Sequence, residues 1–246
     1  MLDLVNFTSV ILLTLSVFQT ITGVGILVLG TPIMLILDLK MVEIMTLLLP
    51  LSILNSSINL FYLKYSIKKI QIDYSMRSYF FFICLPGIFL GLIILKFFAS
   101  QLNFNYLVSF SIWLFLLFSY FKKKNFKFSK FFKKNFIFLT GIIHGLTNSG
   151  GSLLSLLIVN THKKNLNYLR YQIIFFYFFL AIFQYFSIIF VFDYTFFINL
   201  KIDYILSLII GVLLGNILMK SISLDIIKNL IYALAFLSSI FLVSQA

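Results

Sequence analysis

Between Leu4 and Leu37 the chain carries no charged residue. A hydrocarbon core about 30 Å thick is crossed by ~20 apolar residues in a helix, so this run is too long for one upright crossing. Similar charge-free stretches follow at Ile44 to Leu63, Ser78 to Leu95, Phe97 to Phe121 and Tyr171 to Phe192. Lipid offers no hydrogen bonds to backbone, so a chain of this kind has to cross as helices or as a closed barrel. Helices fit the length of these runs.

Two of the apolar runs are interrupted. His144-Gly-Leu-Thr-Asn-Ser-Gly-Gly-Ser152 lies inside one, and Gln19-Thr-Ile-Thr-Gly-Val-Gly25, followed by Gly30-Thr31-Pro32, lies inside the other. A Gly-rich break at membrane depth is tolerated only where it is buried in protein or lines a wet cavity. Interrupted hydrophobic segments at corresponding places in two halves are the sequence mark of a transporter's binding site. The remainder of the chain reads as scaffolding for these two breaks.

Composition removes several classes of function. With 61% hydrophobic and 11% charged residues among 246, no soluble domain fits beside the spans. A net charge of +12 could suggest nucleic acid, but the lysines gather in short loops between spans, where positive charge marks the cytoplasmic side. No nucleic-acid partner is expected. Cys84 is the sole cysteine, which excludes an internal disulfide and a cysteine metal cluster. The N-terminus lacks a basic n-region and a small-residue cleavage site, so the first hydrophobic segment is expected to stay. Neither a Walker motif nor a nucleophile–base set nor metal-ligand spacing is present, and no cofactor or metal is expected.

Charge also gives a topology. Lys122 to Lys134 holds seven lysines, and Lys64 to Arg77, Lys163 to Arg170 and Lys220 to Lys228 are basic too. Placing these four loops inside makes the span before residue 64 run inward and Tyr171 to Phe192 run outward. The halves, residues 1–121 and 135–246 about a basic cytoplasmic linker at 122–134, then come out antiparallel. Gly87-Ile-Phe-Leu-Gly91 through Lys96 matches Gly211-Val-Leu-Leu-Gly215 through Lys220, at nearly the offset that aligns Thr22 with Thr147. The expected fold is an all-α polytopic membrane protein of two inverted-topology repeats. Each repeat has a Gly-broken segment, either a re-entrant hairpin or a bent helix, plus three spanning helices. Both arginines, Arg77 and Arg170, fall in loops on this reading.

At the breaks the sequence resembles the TauE/SafE sulfite exporter family (the four-toluene sulfonate uptake permeases). Gln19-Thr-Ile-Thr-Gly23-Val-Gly25 with Thr31-Pro32 is similar to that family's first-half pattern, and Gly145-Leu-Thr-Asn-Ser-Gly150-Gly151 resembles its second. Ser152 stands where many members carry proline, and Asn148 replaces a usual small residue. The resemblance covers essentially the whole chain. It implies export or uptake of a small anion: sulfite, an organosulfonate or a related carboxylate.

The residues independently favour an anion. All seven acidic residues (Asp3, Asp38, Glu43, Asp73, Asp193, Asp203 and Asp225) lie at span ends or in loops, whereas cation transporters use intramembrane carboxylates. The breaks offer helix N-termini, whose unpaired N–H groups and partial positive charge suit oxyanions. The candidate substrate-binding residues are Gln19, Thr20, Thr22, Gly23, Gly25, Asn55, Thr147, Asn148, Ser149, Gly150, Gly151 and Ser152. The bland rival is close helix packing at the glycines and interhelical hydrogen bonding at Asn55 and Gln19. For Gly87, Gly91, Gly211 and Gly215 a small-residue packing seam is the better reading. His144 is a candidate for proton coupling, its rival a structural histidine bonded to a nearby carbonyl. The sequence therefore reads as a secondary transporter working by alternating access in a bacterial cytoplasmic (inner) membrane. Its partners would be the bilayer, a small anionic substrate and a coupling proton or Na+, with a homodimer left open. A membrane-embedded enzyme and a non-transporting assembly factor are the competing classes.

Overall fold

The computed structural model describes residues 2–66, 74–122, 130–161, 166–192, 200–219, 232–233, 236–237 and 239–244. Among them every regular element is helical: α1 (Leu2–Thr22), α2 (Ile26–Ile36), α3 (Met41–Ser66), α4 (Tyr74–Tyr79), a π turn (Phe80–Cys84), α5 (Leu85–Phe98), α6 (Phe104–Lys122), α7 (Lys130–Thr147), α8 (Gly150–Thr161), α9 (Leu166–Phe192) and α10 (Ile202–Leu218). Three stretches, Met41–Tyr65, Met76–Phe98 and Tyr168–Phe192, are long and apolar enough to cross a bilayer. Large apolar side chains such as Phe82, Phe190 and Phe131 face outward at 75–79% exposure. With three helices long and apolar enough to span, such a surface suits lipid. The chain is a multi-pass, all-α membrane protein.

The second of these spans is continuous through α4, the π turn and α5. Pro86 cannot donate to the carbonyl four residues back and its ring collides with that carbonyl. The helix absorbs this with one wider turn, in which the Leu85 amide bonds Phe80 O, five residues earlier.

Helices α3 and α9 form the centre, and they run antiparallel. Met45 meets Gln184 (Nε2 to Sδ, 3.8 Å), the Ser52 hydroxyl lies beside that of Tyr177, and Asn59 Oδ1 accepts from Arg170 Nη2 at 3.2 Å. Each contact advances seven residues along one helix and retreats seven along the other. Seven residues are two turns, so one stripe of each helix makes the whole interface.

Two glycine seams flank this pair. A Cβ at Gly87 would lie 2.7 Å from Phe138 O, and one at Gly91 would strike Ile142 O and Gly145, so α5 and α7 touch backbone to backbone. A Cβ at Gly211 would lie 2.7 Å from Leu13 O and one at Gly215 2.7 Å from Thr20 Cβ, which puts α10 equally close to α1. Small residues let membrane helices approach this far, and the gain is dispersion and packing. The seam reading of these four glycines holds. The sequence did not indicate their partners: each seam joins a helix of one half to a helix of the other.

Some boundaries differ from expectation. α7 starts at Lys130, inside the basic linker, and α9 starts at Leu166. Arg170 is therefore helical and only 4% exposed, not a loop residue, and Arg77 likewise lies in a helix, α4. Asn229 to Val243 is described only at 232–233, 236–237 and 239–243, while 123–129, 162–165 and 193–199 lie outside the described residues. What is described of the C-terminal stretch packs on α6, where Trp113 Nε1 donates to Ser239 Oγ at 2.9 Å.

Candidate functional site

Both breaks fall where the sequence puts them, between α1 and α2 and between α7 and α8. They share one local geometry at a separation of 125 residues. Thr22 Oγ1 donates back to Phe18 O at 2.8 Å, and Thr147 Oγ1 to Ile143 O at 2.7 Å. The amide of Gly23 bonds Gln19 O at 2.8 Å, and that of Asn148 bonds His144 O at 2.9 Å. Gly23 has φ 85° and Asn148 φ 60°, the left-handed region in which a helix ends. Asparagine is among the few side-chain-bearing residues that tolerate it. Asn148 is suited to that conformation.

Beyond the first break the chain folds back. A Cβ at Gly25 would lie 2.7 Å from the Gln19 amide nitrogen, and one at Gly30 3.1 Å from Leu15 Cδ1. At 11 residues α2 is about 16 Å long, half a hydrocarbon core. Beyond the second break, Gly150 likewise sits on α7, with His144 N 2.9 Å from where its Cβ would be.

Chemically the breaks differ. At the first, the α2 N-terminus is already capped by side chains. Gln19 Oε1 accepts from the Ile26 amide at 3.0 Å, and the Tyr177 hydroxyl accepts from the Leu27 amide at 3.1 Å. Gln19 is held in turn by Nε2 donating to Ser56 Oγ at 3.0 Å. The amides that the sequence left for a ligand at this break are thus occupied by Gln19 and Tyr177 here.

At the second break polar capacity is left over. His144 is fully buried with both ring nitrogens unpartnered, and Asn148 Nδ2 and Gln184 Oε1 are buried and unpartnered as well. The Asn148 backbone is the polar group placed beside the His144 ring, which keeps the structural rival in play alongside proton coupling. The first amides of α8, at Gly150 and Gly151, have no acceptor within their own helix. Beside them the hydroxyls of Thr147, Ser149 and Ser111 converge, with Ser149 Oγ 2.5 Å from each of the other two. Ser152 turns its hydroxyl back to Ser149 O at 2.7 Å.

Helix α9 joins the two breaks. Ile173 packs on Gly23; four residues on, the ring of Tyr177 lies against Gly151 while its hydroxyl caps α2; and Gln184 Nε2 donates to His144 O (3.0 Å) and Asn148 Oδ1 (2.9 Å). The structure thus brings Gln19, Gly23, Gly25, His144, Thr147, Asn148, Ser149, Gly150 and Gly151 around one stripe of α9. Thr20 and Asn55 sit to one side. Asn59 Nδ2 donates to Thr20 Oγ1 at 3.1 Å, and Asn55 Nδ2 to Ser16 Oγ at 2.7 Å, tying α3 to α1. Sequence reasoning missed Tyr177, Ser111 and Arg170. The first and last share a seven-residue step with Gln184, and that step was the available signal.

Fold and breaks together define a class, a multi-pass helical protein with two unwound segments meeting at its core. The family model for the sulfite exporter TauE/SafE matches residues 8–242, and the chain belongs to that family. No curated protein and no solved structure matches it.

Proposed function

We propose that this protein is a secondary transporter that moves a small anion (sulfite, an organosulfonate or a related carboxylate) across the bacterial cytoplasmic membrane by alternating access. The observation that carries the proposal is Tyr177, whose hydroxyl bonds the start of α2 while its ring rests on Gly151 at the start of α8. Two broken helices held by one residue make a single locus, and family membership supports an exporter-type role for it.

On this reading the anion binds mainly at the second break. The Gly150 and Gly151 amides, Asn148 Nδ2 and the Ser149 hydroxyl supply donors, and none of them demands a permanent countercharge. Gln19 and Tyr177 hold the first break closed in the conformation described, in which Gln19, Asn148 and Ser149 are at most 1% exposed. The conformation is occluded, and opening requires one break to part from α9.

The antiparallel stripe of α3 on α9 and the recurrence of the break geometry 125 residues apart support two inverted repeats, with basic loops cytoplasmic. His144, buried with free nitrogens beside the anion donors, is the candidate for a coupled proton.

Counterflow in proteoliposomes tests the reading, with sulfite, thiosulfate, sulfoacetate, isethionate and small carboxylates as the panel. The expected result is exchange of at least one anion, chemically unchanged, and a weakened half-saturation in Asn148→Gly, which keeps the backbone and removes a donor. Conversion of the anion would instead favour the enzyme class. No exchange of any member would overturn the proposal.

A further inference from the structure

We infer that Arg170, with Asn59 and Asn216, forms a second anion subsite on the cytoplasmic side of the breaks, where the substrate oxyanion replaces neutral stand-ins on the guanidinium. The inference rests on the transporter reading above and extends it with a residue and a place.

Arg170 is 4% exposed, and its contacts are neutral: Nη2 donates to Asn59 Oδ1 at 3.2 Å and Asn216 Oδ1 at 3.3 Å, and Nη1 to the Met219 thioether. Its Nε is buried with no partner. No carboxylate among the described residues bonds it. A guanidinium offers five N–H donors in a planar fork that matches a carboxylate or sulfonate edge. Here three of its nitrogens have between them two weak amide contacts, one thioether and one vacancy. Removing a cation from water is costly unless an anion pairs with it. Among the described residues no anion pairs with this buried cation.

Its location fits a loading site. The subsite lies toward the ends of α3 and α10 and at the start of α9, the helix ends that in sequence adjoin the basic stretches read as cytoplasmic. Seven residues of α9 separate Arg170 from Tyr177, about 10 Å along the helix. A buried polar chain spans the gap: Arg170 to Asn59, then Asn59 Nδ2 to Thr20 Oγ1 at 3.1 Å, one residue from Gln19.

A purely structural arginine, tying α3 to α10, makes the opposite prediction for one variant. Asn216→Asp places a carboxylate 3.3 Å from Nη2. It gives Arg170 an internal partner, so it should raise the thermal unfolding midpoint and, by occupying the fork, suppress anion binding. The experiment is counterflow of 35S-sulfite in proteoliposomes, read as half-saturation, for wild type, Arg170→Gln, Arg170→Lys, Asn216→Asp and Asn148→Gly. Expected are a rise of about tenfold or more in Arg170→Gln and Asn216→Asp, and a smaller rise in Arg170→Lys, which keeps the charge without the fork. If Arg170→Gln does not fold, Asn216→Asp carries the test alone. Unchanged half-saturation in Asn216→Asp, with Asn148→Gly impaired, overturns the subsite and leaves the transporter reading standing. No sulfite exchange in wild type, with no other anion of the panel exchanged, overturns both.

Discussion

The Tyr177 hydroxyl accepts the Leu27 amide at 3.1 Å, across a sequence separation of 150 residues. This one bond ties the half of the chain that ends before α7 to the half that begins with it, at the depth where both helices are broken. Tyr177→Phe keeps the ring against Gly151 and strands the Leu27 N–H. A buried donor left unpaired costs about 1–3 kcal/mol. The expected outcome is a lower unfolding midpoint in detergent together with slower counterflow. A variant with wild-type midpoint and flux would mean that the bond does not hold the breaks together.

The seams give a comparison internal to the protein. Alanine at Gly91 would drive its Cβ into Ile142 O and Gly145 of a facing helix, neither of which can rotate away. Alanine at Gly30 meets only the terminal methyls of Leu48 and Leu15, at 3.0 and 3.1 Å, and these can swing aside. Overpacking a tight contact costs about 1–3 kcal/mol, so Gly91→Ala should lower the midpoint well below that of Gly30→Ala. Equal midpoints would show that α5 and α7 are not in backbone contact.

The contact of α6 with α8 is open to a cross-linking test. Ser111 Oγ and Ser149 Oγ are 2.5 Å apart, and Cys84 is the single native thiol. With Cys84→Ser, the pair Ser111→Cys and Ser149→Cys should oxidise to a disulfide and lower exchange below that of the same variant kept reduced. Flux that persists after complete cross-linking would show that these two helices do not separate during the cycle.

Much of this was legible in the sequence because it is local. A Gly-rich polar stretch inside a charge-free run announces a break whatever surrounds it, so Gly23 to Gly25 and Asn148 to Gly151 were found directly. The spans at α3, α5 and α9 followed from length and apolarity. Pairings were not legible. Nothing in the periodicity of Gly87 and Gly91 says that they face Gly141 and Gly145, because a small-residue stripe fits many partners. Gln19 looked like a ligand donor because sequence cannot reveal that its carbonyl already serves the Ile26 amide. Arg170 was misplaced for a related reason. Counted with Lys163 and Lys164 it is one more loop charge, whereas helical register puts it on the stripe of Tyr177 and Gln184.

That stripe has matched backbone and unmatched chemistry at its two ends. At one end Met45 meets Gln184, a thioether against a neutral amide; at the other Asn59 meets Arg170, and there a full positive charge stands. On the transporter reading proposed above, a path with twin chemistry at either end would treat departure and return alike. The ends of this stripe are electrically unequal, so under that proposal a negatively charged traveller dwells longer beside Arg170 than beside Met45.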